Sequence, residues 1–216
     1  MTTFEPLLLL PGLLCDERLW RDQIQGLAGV EAGVADLTQD SDLAGMARRA
    51  LAAAPPRFAL AGLSMGGYVA LEIIRRAPER VTRLALFDTS ARPDTDEASR
   101  RRRGLMALTR SGQFRGVTPR LLPQLIHPDR LEGPLGPEVM AMAERIGRDA
   151  FLRQQEAILA RPDSRPMLGS IAVPTLVAVG AQDALTPPHL AAEMAAGIPG
   201  AVLVELPNSG HLPSME

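Results

Sequence analysis

The chain has 216 residues, 46% of them hydrophobic, and a formal net charge of −2 at neutral pH, which allows one hydrophobic core with a small insertion. A charge this close to zero predicts neither nucleic acid nor an anionic membrane as a partner. All 23 basic residues are arginine, so the chain cannot contain a Schiff-base lysine, a Walker-A lysine or a serine–lysine dyad.

The N-terminal residues and the small number of side chains able to bind a metal exclude further classes of protein. Residues 1–6 contain no basic side chain, and the apolar run Leu7–Leu10 is too short for a signal peptide or a membrane span. We therefore expect a soluble, cytoplasmic protein. The single cysteine, Cys15, cannot form an internal disulfide and is expected to pack in the core. Three scattered histidines argue against a zinc site, and we expect neither a metal nor a cofactor.

Short apolar runs alternate with helical patterns along most of the chain. Strands are predicted at residues 6–12, 30–37, 58–63, 81–87, 174–180 and 201–206, and helices at 13–24, 42–54, 69–76 and 189–196. Strands that alternate with helices are typical of a mostly parallel sheet covered by helices on both faces. The sequence therefore predicts an α/β fold.

The alternation stops between Asp88 and Pro174, where no strand is predicted. Helices are expected there at 98–110, 120–126, 137–146 and 149–160, separated by proline and glycine. We interpret residues 91–170 as a helical cap inserted into a core formed by residues 1–90 and 171–216.

The stretch Gly62–Gly66 joins the predicted third strand to the helix that follows it. Its sequence is Gly-Leu-Ser-Met-Gly, with Ser64 at the break between the two elements. A chain that reverses this sharply exposes the bend residue and crowds its second neighbours, which explains glycine on either side of Ser64. The alternative is a glycine-rich turn in which Ser64 only caps the helix; the strand before it and the helix after it favour a nucleophile.

A serine nucleophile needs a base, and three histidines are available. His211 follows the last predicted strand. It is therefore expected beyond the carboxyl ends of the strands, where the reactive groups of a parallel sheet gather. His189 stands at a helix start and is interpreted as a capping residue. His127 lies in the insertion and is interpreted as structural or pocket-lining. His211 is therefore the predicted base.

The base needs a carboxylate that orients its ring, and two aspartates follow strands. Asp183 comes after the strand at 174–180, and Asp88 after the strand at 81–87. We favour Asp183, which gives the chain order Ser, Asp, His, and keep Asp88 as the second candidate. The oxyanion needs two backbone donors, predicted to be the N–H groups of Leu13, in the turn after the first strand, and Met65.

Together these segments resemble the α/β-hydrolase superfamily, and within it the small, cofactor-free, capped carboxylesterases and the haloperoxidase-like perhydrolases. The matching pieces are Leu7–Gly12, Gly62–Gly67, Asp183 and Gly210-His211. The resemblance implies a serine esterase that forms an acyl-enzyme, which water then hydrolyses. In three respects the sequence departs from that family. Pro11-Gly12 replaces the usual His-Gly, the N-terminal antiparallel strands are missing, and so is the closing C-terminal helix, which suggests a trimmed chain.

Substrate and partner remain open between several alternatives. We expect a small-molecule carboxylic ester of modest size; thioester hydrolysis, perhydrolysis and carbon–carbon bond hydrolysis would use the same three residues, and a non-catalytic ligand-binding protein could share the fold. Residues 92–120 hold eight arginines, densest at Arg100–Arg103. These could bind an anionic acyl carrier, although a solvated helix face explains them more simply.

Overall fold

The structure, a computed structural model, describes residues 5–216 and contains one six-stranded sheet in that range. The strands are β1 (Leu7–Leu10), β2 (Ala32–Val34), β3 (Phe58–Leu63), β4 (Val81–Phe87), β5 (Thr175–Gly180) and β6 (Val202–Leu206). Their spatial order is β2-β1-β3-β4-β5-β6, and every neighbouring pair is parallel. The predicted doubly covered α/β sheet is confirmed, and no antiparallel strand occurs within residues 5–216.

Helices cover both faces of the sheet because alternate strand residues point to opposite sides. The main core cluster joins Leu8, Leu60 and Val177 to helices α2 (Leu43–Ala53), α3 (Met65–Arg76) and α6 (Pro188–Gly197). On the other face, Leu9, Leu63 and Phe87 pack with Trp20, which lies at the end of a short 3₁₀ segment just before α1 (Arg21–Gly26).

The first helix begins later than the sequence pattern predicts. Residues 12–15 form a turn in which the Cys15 N–H donates to the Gly12 carbonyl at 3.1 Å, and Leu14 has a φ of 59°. A positive φ is incompatible with a right-handed helix, so the helical backbone starts only at Glu17, after Asp16 accepts a hydrogen bond from the Arg18 N–H.

The segment between β4 and β5 is helical, with α4 at Asp96–Arg110 and α5 at Leu135–Leu159. The helix predicted at 120–126 is only a 3₁₀ turn, Leu122–Gln124, because Pro123 in its middle has no N–H to donate. Helix α5 joins the two helices predicted at 137–146 and 149–160, and is interrupted at Gly147, where φ is 78° and ψ is 178°.

Helix α5 contributes to the cores on both faces of the sheet. Its first half adds Val139 and Met142 to the cluster around Trp20, whereas its last turns add Ala157 and Ile158 to the main cluster. The helix therefore crosses from one face to the other, and it does so near the carboxyl end of β1, where it contacts the turn at Leu14. Within the described residues, no helix has the length and apolar character required to cross a lipid bilayer.

Candidate active site

Ser64 lies at a sharp bend between β3 and α3. Its φ is 54° and its ψ is −115°, a strained combination for a residue with a side chain. Two hydrogen bonds hold the bend: the Ser64 N–H donates to the Phe87 carbonyl at 3.0 Å, and the Thr89 hydroxyl donates to the Ser64 carbonyl at 2.7 Å. The strain is thus maintained by the neighbouring strand β4 and the residues that follow it.

The two glycines that flank Ser64 are required by close backbone approaches. A Cβ atom added to Gly62 would collide with the backbone of Gly66, and one added to Gly66 would collide with the backbone carbonyl of Leu10. The bend can therefore form only with hydrogen in place of a side chain at both positions. This is the physical reason for the Gly-Leu-Ser-Met-Gly pattern, and it brings the start of α3 against the end of β1.

His211 lies in the loop after β6 and is held from several sides. The backbone N–H of His211 donates to the Leu125 carbonyl at 2.9 Å, and the backbone N–H of the neighbouring Gly210 donates to the Glu216 carboxylate at 2.8 Å. Glu216 also accepts the His127 N–H at 2.8 Å. The loop that carries His211 is therefore fixed to the helical insertion as well as to the sheet.

The structure brings Ser64, His211 and Asp183 together, although they are far apart in the sequence. Nε2 of His211 lies 2.9 Å from Oγ of Ser64, and Nδ1 of the same ring lies 2.8 Å from Oδ2 of Asp183. His211 and Asp183 are buried, with 4% of each residue exposed. A hydroxyl, an imidazole and a carboxylate in this order can pass a proton from the hydroxyl to the ring.

The environment of Asp183 favours its ionised form. Burial is the largest influence and alone would raise the pKa of this carboxyl, but the hydrogen bond and charge of His211 and the Thr186 hydroxyl outweigh it. The pKa of Asp183 therefore lies well below the ordinary carboxyl value. At neutral pH the group is a carboxylate that can accept the Nδ1–H of His211 and stabilise an imidazolium.

Asp88, the second candidate for the acid, makes a different contact. Its Oδ1 accepts the Gly180 N–H at 2.8 Å, while Oδ2 is buried without a hydrogen-bond partner in the described part of the chain. Burial, reinforced by the charge of Asp183, raises the pKa of Asp88 to about 9. Asp88 is thus a neutral acid at pH 7, located beside the site without touching Ser64 or the His211 ring through a hydrogen bond.

Thr186 is a site residue that the sequence reasoning missed. Its hydroxyl donates to Oδ2 of Asp183 at 2.6 Å and lies 3.3 Å from Nδ1 of His211. Oδ1 of Asp183 accepts the N–H groups of Leu185 and Thr186, at 2.8 and 3.0 Å. An aspartate that accepts backbone N–H groups two and three residues later forms a local turn, and the Asp-Ala-Leu-Thr-Pro-Pro sequence is a signal for it.

The two amides predicted to form an oxyanion hole lie beside Ser64. Met65 is the first residue of α3, and the turn containing Leu13 passes close to the bend: a side chain on Gly12 would contact Cβ of Ser64 at 3.5 Å. Among residues 5–216, neither the Leu13 N–H nor the Met65 N–H donates to a protein acceptor. Both donors are therefore free to bind another group.

The remaining histidines and the cysteine lie elsewhere. His127 caps a 3₁₀ turn, with Nδ1 accepting the Asp129 N–H, and His189 lies in the first turn of α6. Cys15 is buried, and burial raises the pKa of its thiol to about 12, so it is not a nucleophile.

Asp88, Asp183 and His211 could be considered as metal ligands because their donor atoms all lie within 4.8 Å of one another. Two ligands on a tetrahedral zinc ion, each about 2.1 Å from the metal, are roughly 3.4 Å apart. The His211 and Asp183 atoms are only 2.8 Å apart, which is a hydrogen-bond distance. The pair is arranged to share a proton rather than a metal ion.

A family description of the alpha/beta hydrolase fold matches residues 10–216 of the chain. The chain belongs to the α/β-hydrolase family. The superfamily recognised from the sequence motifs is therefore confirmed.

Several proteins that are similar to this member of the α/β-hydrolase family are named esterases or hydrolases. A pimeloyl-[acyl-carrier protein] methyl ester esterase of Neisseria meningitidis is 30% identical over 158 residues, which are 70% of this chain but only 61% of that protein. The "putative carbamate hydrolase RutD" of Azorhizobium caulinodans is 30% identical over an alignment of 225 positions, gaps included, which covers 95% of this chain and 84% of that protein.

Solved structures agree with the fold of this chain over nearly its whole length. An esterase from Thermogutta terrifontis superposes with a TM-score of 0.87 at 31% identity, covering 99% of this chain and 85% of that one. An enol-lactonase from Burkholderia xenovorans superposes with a TM-score of 0.80 at 25% identity, covering 97% and 85%.

Proposed function

We propose that the protein is a serine esterase that cleaves carboxylic esters of modest size through an acyl-enzyme, with Ser64 as nucleophile, His211 as base and Asp183 as acid. The observation that carries this proposal is the continuous hydrogen-bond chain from Oγ of Ser64 through His211 to Asp183. The neutral histidine tautomer that donates from Nδ1 to a carboxylate leaves Nε2 free to accept the serine proton.

The reaction follows from these contacts in two halves. Oγ of Ser64 attacks the ester carbonyl carbon while Nε2 of His211 takes the hydroxyl proton, and the resulting tetrahedral oxyanion accepts hydrogen bonds from the N–H groups of Leu13 and Met65. The intermediate collapses, the carbon–oxygen bond to the alcohol breaks, and His211 returns the proton to the leaving oxygen. Water then attacks the acyl-enzyme with the same proton transfers and releases the carboxylic acid.

The side chains beside the oxyanion turn are apolar, which supports an apolar ester as substrate. Leu14, Ala143 and Phe151 form a small buried cluster, with Leu13 and Phe114 packed against it, and Leu13 also packs against the main core. A substrate carbonyl oxygen bound by the Leu13 N–H would therefore have apolar atoms next to it, which favours an acyl group or alcohol that is itself apolar.

Replacement of Ser64 by alanine is the direct test of the proposal. We expect Ser64→Ala to abolish turnover of p-nitrophenyl acetate, by a factor on the order of 10⁴ or more, because only the nucleophile is removed. The thermal unfolding midpoint should remain near that of the unchanged protein. A folded variant that still hydrolyses the ester at a comparable rate would remove Ser64 from the mechanism.

A second candidate function, hydrolysis of an ester carried by an acidic acyl carrier, is favoured by the exposed face of α4. Arg100, Arg101 and Arg103 are exposed and form no ion pair with any residue from 5 to 216, whereas Arg102 is paired with Asp94. Relatives such as the Neisseria esterase have an acyl-carrier protein in their name. Exposed Leu105 and Leu108 follow on the same helix, so cationic and apolar groups are presented together.

Charge reversal on α4 separates the two substrate classes. Replacing Arg100, Arg101 and Arg103 together by glutamate should leave p-nitrophenyl acetate turnover within about twofold but lower kcat/KM for a methyl ester borne by acyl-carrier protein more than tenfold, because steering by opposite charge is lost. Arg57→Glu is the matched control, since Arg57 is also exposed but precedes β3 at the opposite end of the strand from Ser64. Equal effects on both substrates would exclude a carrier-specific role for this face.

A further inference from the structure

Thr89 lies two residues after β4 and contacts the bend that carries Ser64. Its hydroxyl donates to the Ser64 carbonyl at 2.7 Å, and only 1% of the residue is exposed to solvent. A Cβ atom added to Gly67, in the first turn of α3, would lie 2.4–2.6 Å from the Thr89 side chain. The Thr89 side chain is therefore packed directly against the backbone of α3, where a glycine leaves room for it.

The carbonyl that Thr89 binds belongs to the same peptide group as the proposed oxyanion donor of Met65. A trans peptide group is planar, so its carbonyl and its N–H point in opposite directions. The direction of the Ser64 carbonyl therefore determines the direction of the Met65 N–H. A contact that holds this carbonyl in place also holds the oxyanion donor in place.

The orientation of this peptide is where the bend is strained. The orientation is set by ψ of Ser64, which is −115° at a φ of 54°. Residues with a side chain at this φ usually have ψ between about +30° and +60°. Rotation about the Cα–C bond of Ser64 would turn the Met65 N–H but need not move Oγ, because the Ser64 N–H remains bound to the Phe87 carbonyl. Relief of the strain would therefore misdirect the oxyanion donor before it displaces the nucleophile.

Contacts within α3 resist that rotation only in part. The Ser64 carbonyl also accepts the Gly67 N–H at 2.9 Å and the Tyr68 N–H at 3.4 Å, so the ordinary helical bond, four residues along, is long. Of the three donors to this carbonyl, the Thr89 hydroxyl comes from outside the helix. We propose that Thr89 is a positioning residue that holds the Ser64–Met65 peptide in its strained orientation and so aims the Met65 N–H at the oxyanion. The inference rests on the proposed esterase function.

Thr175 provides a matched control. It is also a buried threonine whose hydroxyl donates to a backbone carbonyl, that of Val173, at 2.9 Å. Thr175 is the first residue of β5, whereas Ser64 follows the last residue of β3, and the strands are parallel. Removal of the Thr175 hydroxyl therefore breaks a comparable hydrogen bond at the opposite end of the sheet from the candidate active site.

The test compares serine with alanine at position 89, because these two side chains differ only in the hydroxyl. We expect Thr89→Ser to keep kcat for p-nitrophenyl acetate within about threefold of that of the unchanged protein. Thr89→Ala should lower kcat by about tenfold relative to Thr89→Ser, with KM changed less than about twofold. The reason is that complete loss of an oxyanion donor costs about 10²–10³ in kcat, and here the Gly67 N–H still holds the carbonyl in part. The dissociation constant of phenylboronic acid, whose serine adduct places an oxygen in the oxyanion hole, should rise by a similar factor.

Thr175→Ser and Thr175→Ala should have the same kcat to within about twofold, even if the second variant lowers the unfolding midpoint. If Thr89→Ala does not fold, Thr89→Val takes its place, since valine keeps the shape of threonine and lacks the hydroxyl, and the same loss is expected.

Three results would overturn the positioning role without touching the proposed esterase: a folded variant without the Thr89 hydroxyl whose kcat equals that of Thr89→Ser, a fall in kcat with unchanged boronate affinity, or an equal loss at position 175. If the unchanged protein does not hydrolyse the ester, the proposed function fails and this inference fails with it.

Discussion

Two aspartates follow neighbouring strands of the same sheet, Asp88 after β4 and Asp183 after β5, and both are buried, yet they are in opposite ionisation states. Asp183 is surrounded by donors, namely the His211 ring, the Thr186 hydroxyl and two backbone N–H groups, and its pKa is low. Asp88 has one donor, the Gly180 N–H, and its pKa is raised to about 9. Both carboxyls are buried, so the donors that each one finds, together with the charges of His211 and Asp183, decide which one is the anion.

The difference predicts unequal effects of replacing each carboxyl by an amide, and this is the largest effect expected from the comparison. Asp183→Asn should lower kcat for p-nitrophenyl acetate by a factor on the order of 10³–10⁴, because an amide cannot stabilise the imidazolium or hold the correct tautomer. Asp88→Asn should keep kcat within about threefold, since asparagine resembles the neutral acid and can still accept the Gly180 N–H. Steady-state kinetics on the two variants would show the reverse ranking if Asp88 were the acid.

The two carboxyls should also contribute to stability with opposite dependence on pH. A carboxyl whose pKa is raised on folding favours the folded state at low pH, and this contribution disappears as pH rises through the folded value, here from about 4 to about 9. The free energy of unfolding of Asp88→Asn, relative to that of the unchanged protein, should therefore increase across this range by up to about 1.4 kcal/mol per pH unit.

Asp183 has the opposite sign because its pKa is lowered on folding. Its contribution is present above the unfolded pKa, near 4, and is lost as the solution becomes more acidic. The stability deficit of Asp183→Asn should therefore be largest at neutral pH and shrink below pH 4. Urea unfolding of the two variants at several pH values measures both trends, and parallel curves for the two variants would contradict the assigned charge states.

Removing the Thr186 hydroxyl should have a smaller effect, and it tests how the charge of Asp183 is maintained. Thr186→Val keeps the shape of the side chain but removes the hydroxyl that donates to Oδ2 of Asp183. A hydrogen bond to a charged group contributes about 1.5–3 kcal/mol, and part of this is recovered by the remaining donors, so we expect kcat to fall about three- to thirtyfold. The acid-side decline of stability should still begin near the unfolded pKa but should be smaller and end at a higher pH, because the folded pKa of Asp183 rises when the carboxylate loses one donor. An unchanged profile would show that His211 and the backbone alone set the ionisation of Asp183.

The sequence predicts the sheet and the bend well because these depend on local patterns. The glycines around Ser64 reflect collisions between close neighbours, and the six strands are short apolar runs that end in recognisable turns. The position of His211 relative to Ser64 also follows, since both residues come after strands of one parallel sheet.

The contacts that the sequence does not predict are those between distant segments. No local pattern indicates that Gln154 of α5 meets Leu14, or that the Gly180 N–H binds Asp88. The late start of the first helix has the same origin, because the positive φ of Leu14 is imposed by its surroundings and is unusual for leucine.

The central claim, that Ser64 is a nucleophile activated by His211, is tested most directly by covalent labelling. The protein is treated with a fluorophosphonate, digested and analysed by mass spectrometry, with Ser64→Ala and Asp183→Asn treated in parallel. We expect a single adduct on the peptide that contains Ser64, much slower labelling of Asp183→Asn, and no adduct on Ser64→Ala. A folded protein that remains unlabelled at Ser64, or is labelled equally fast without the Asp183 carboxylate, would contradict the account.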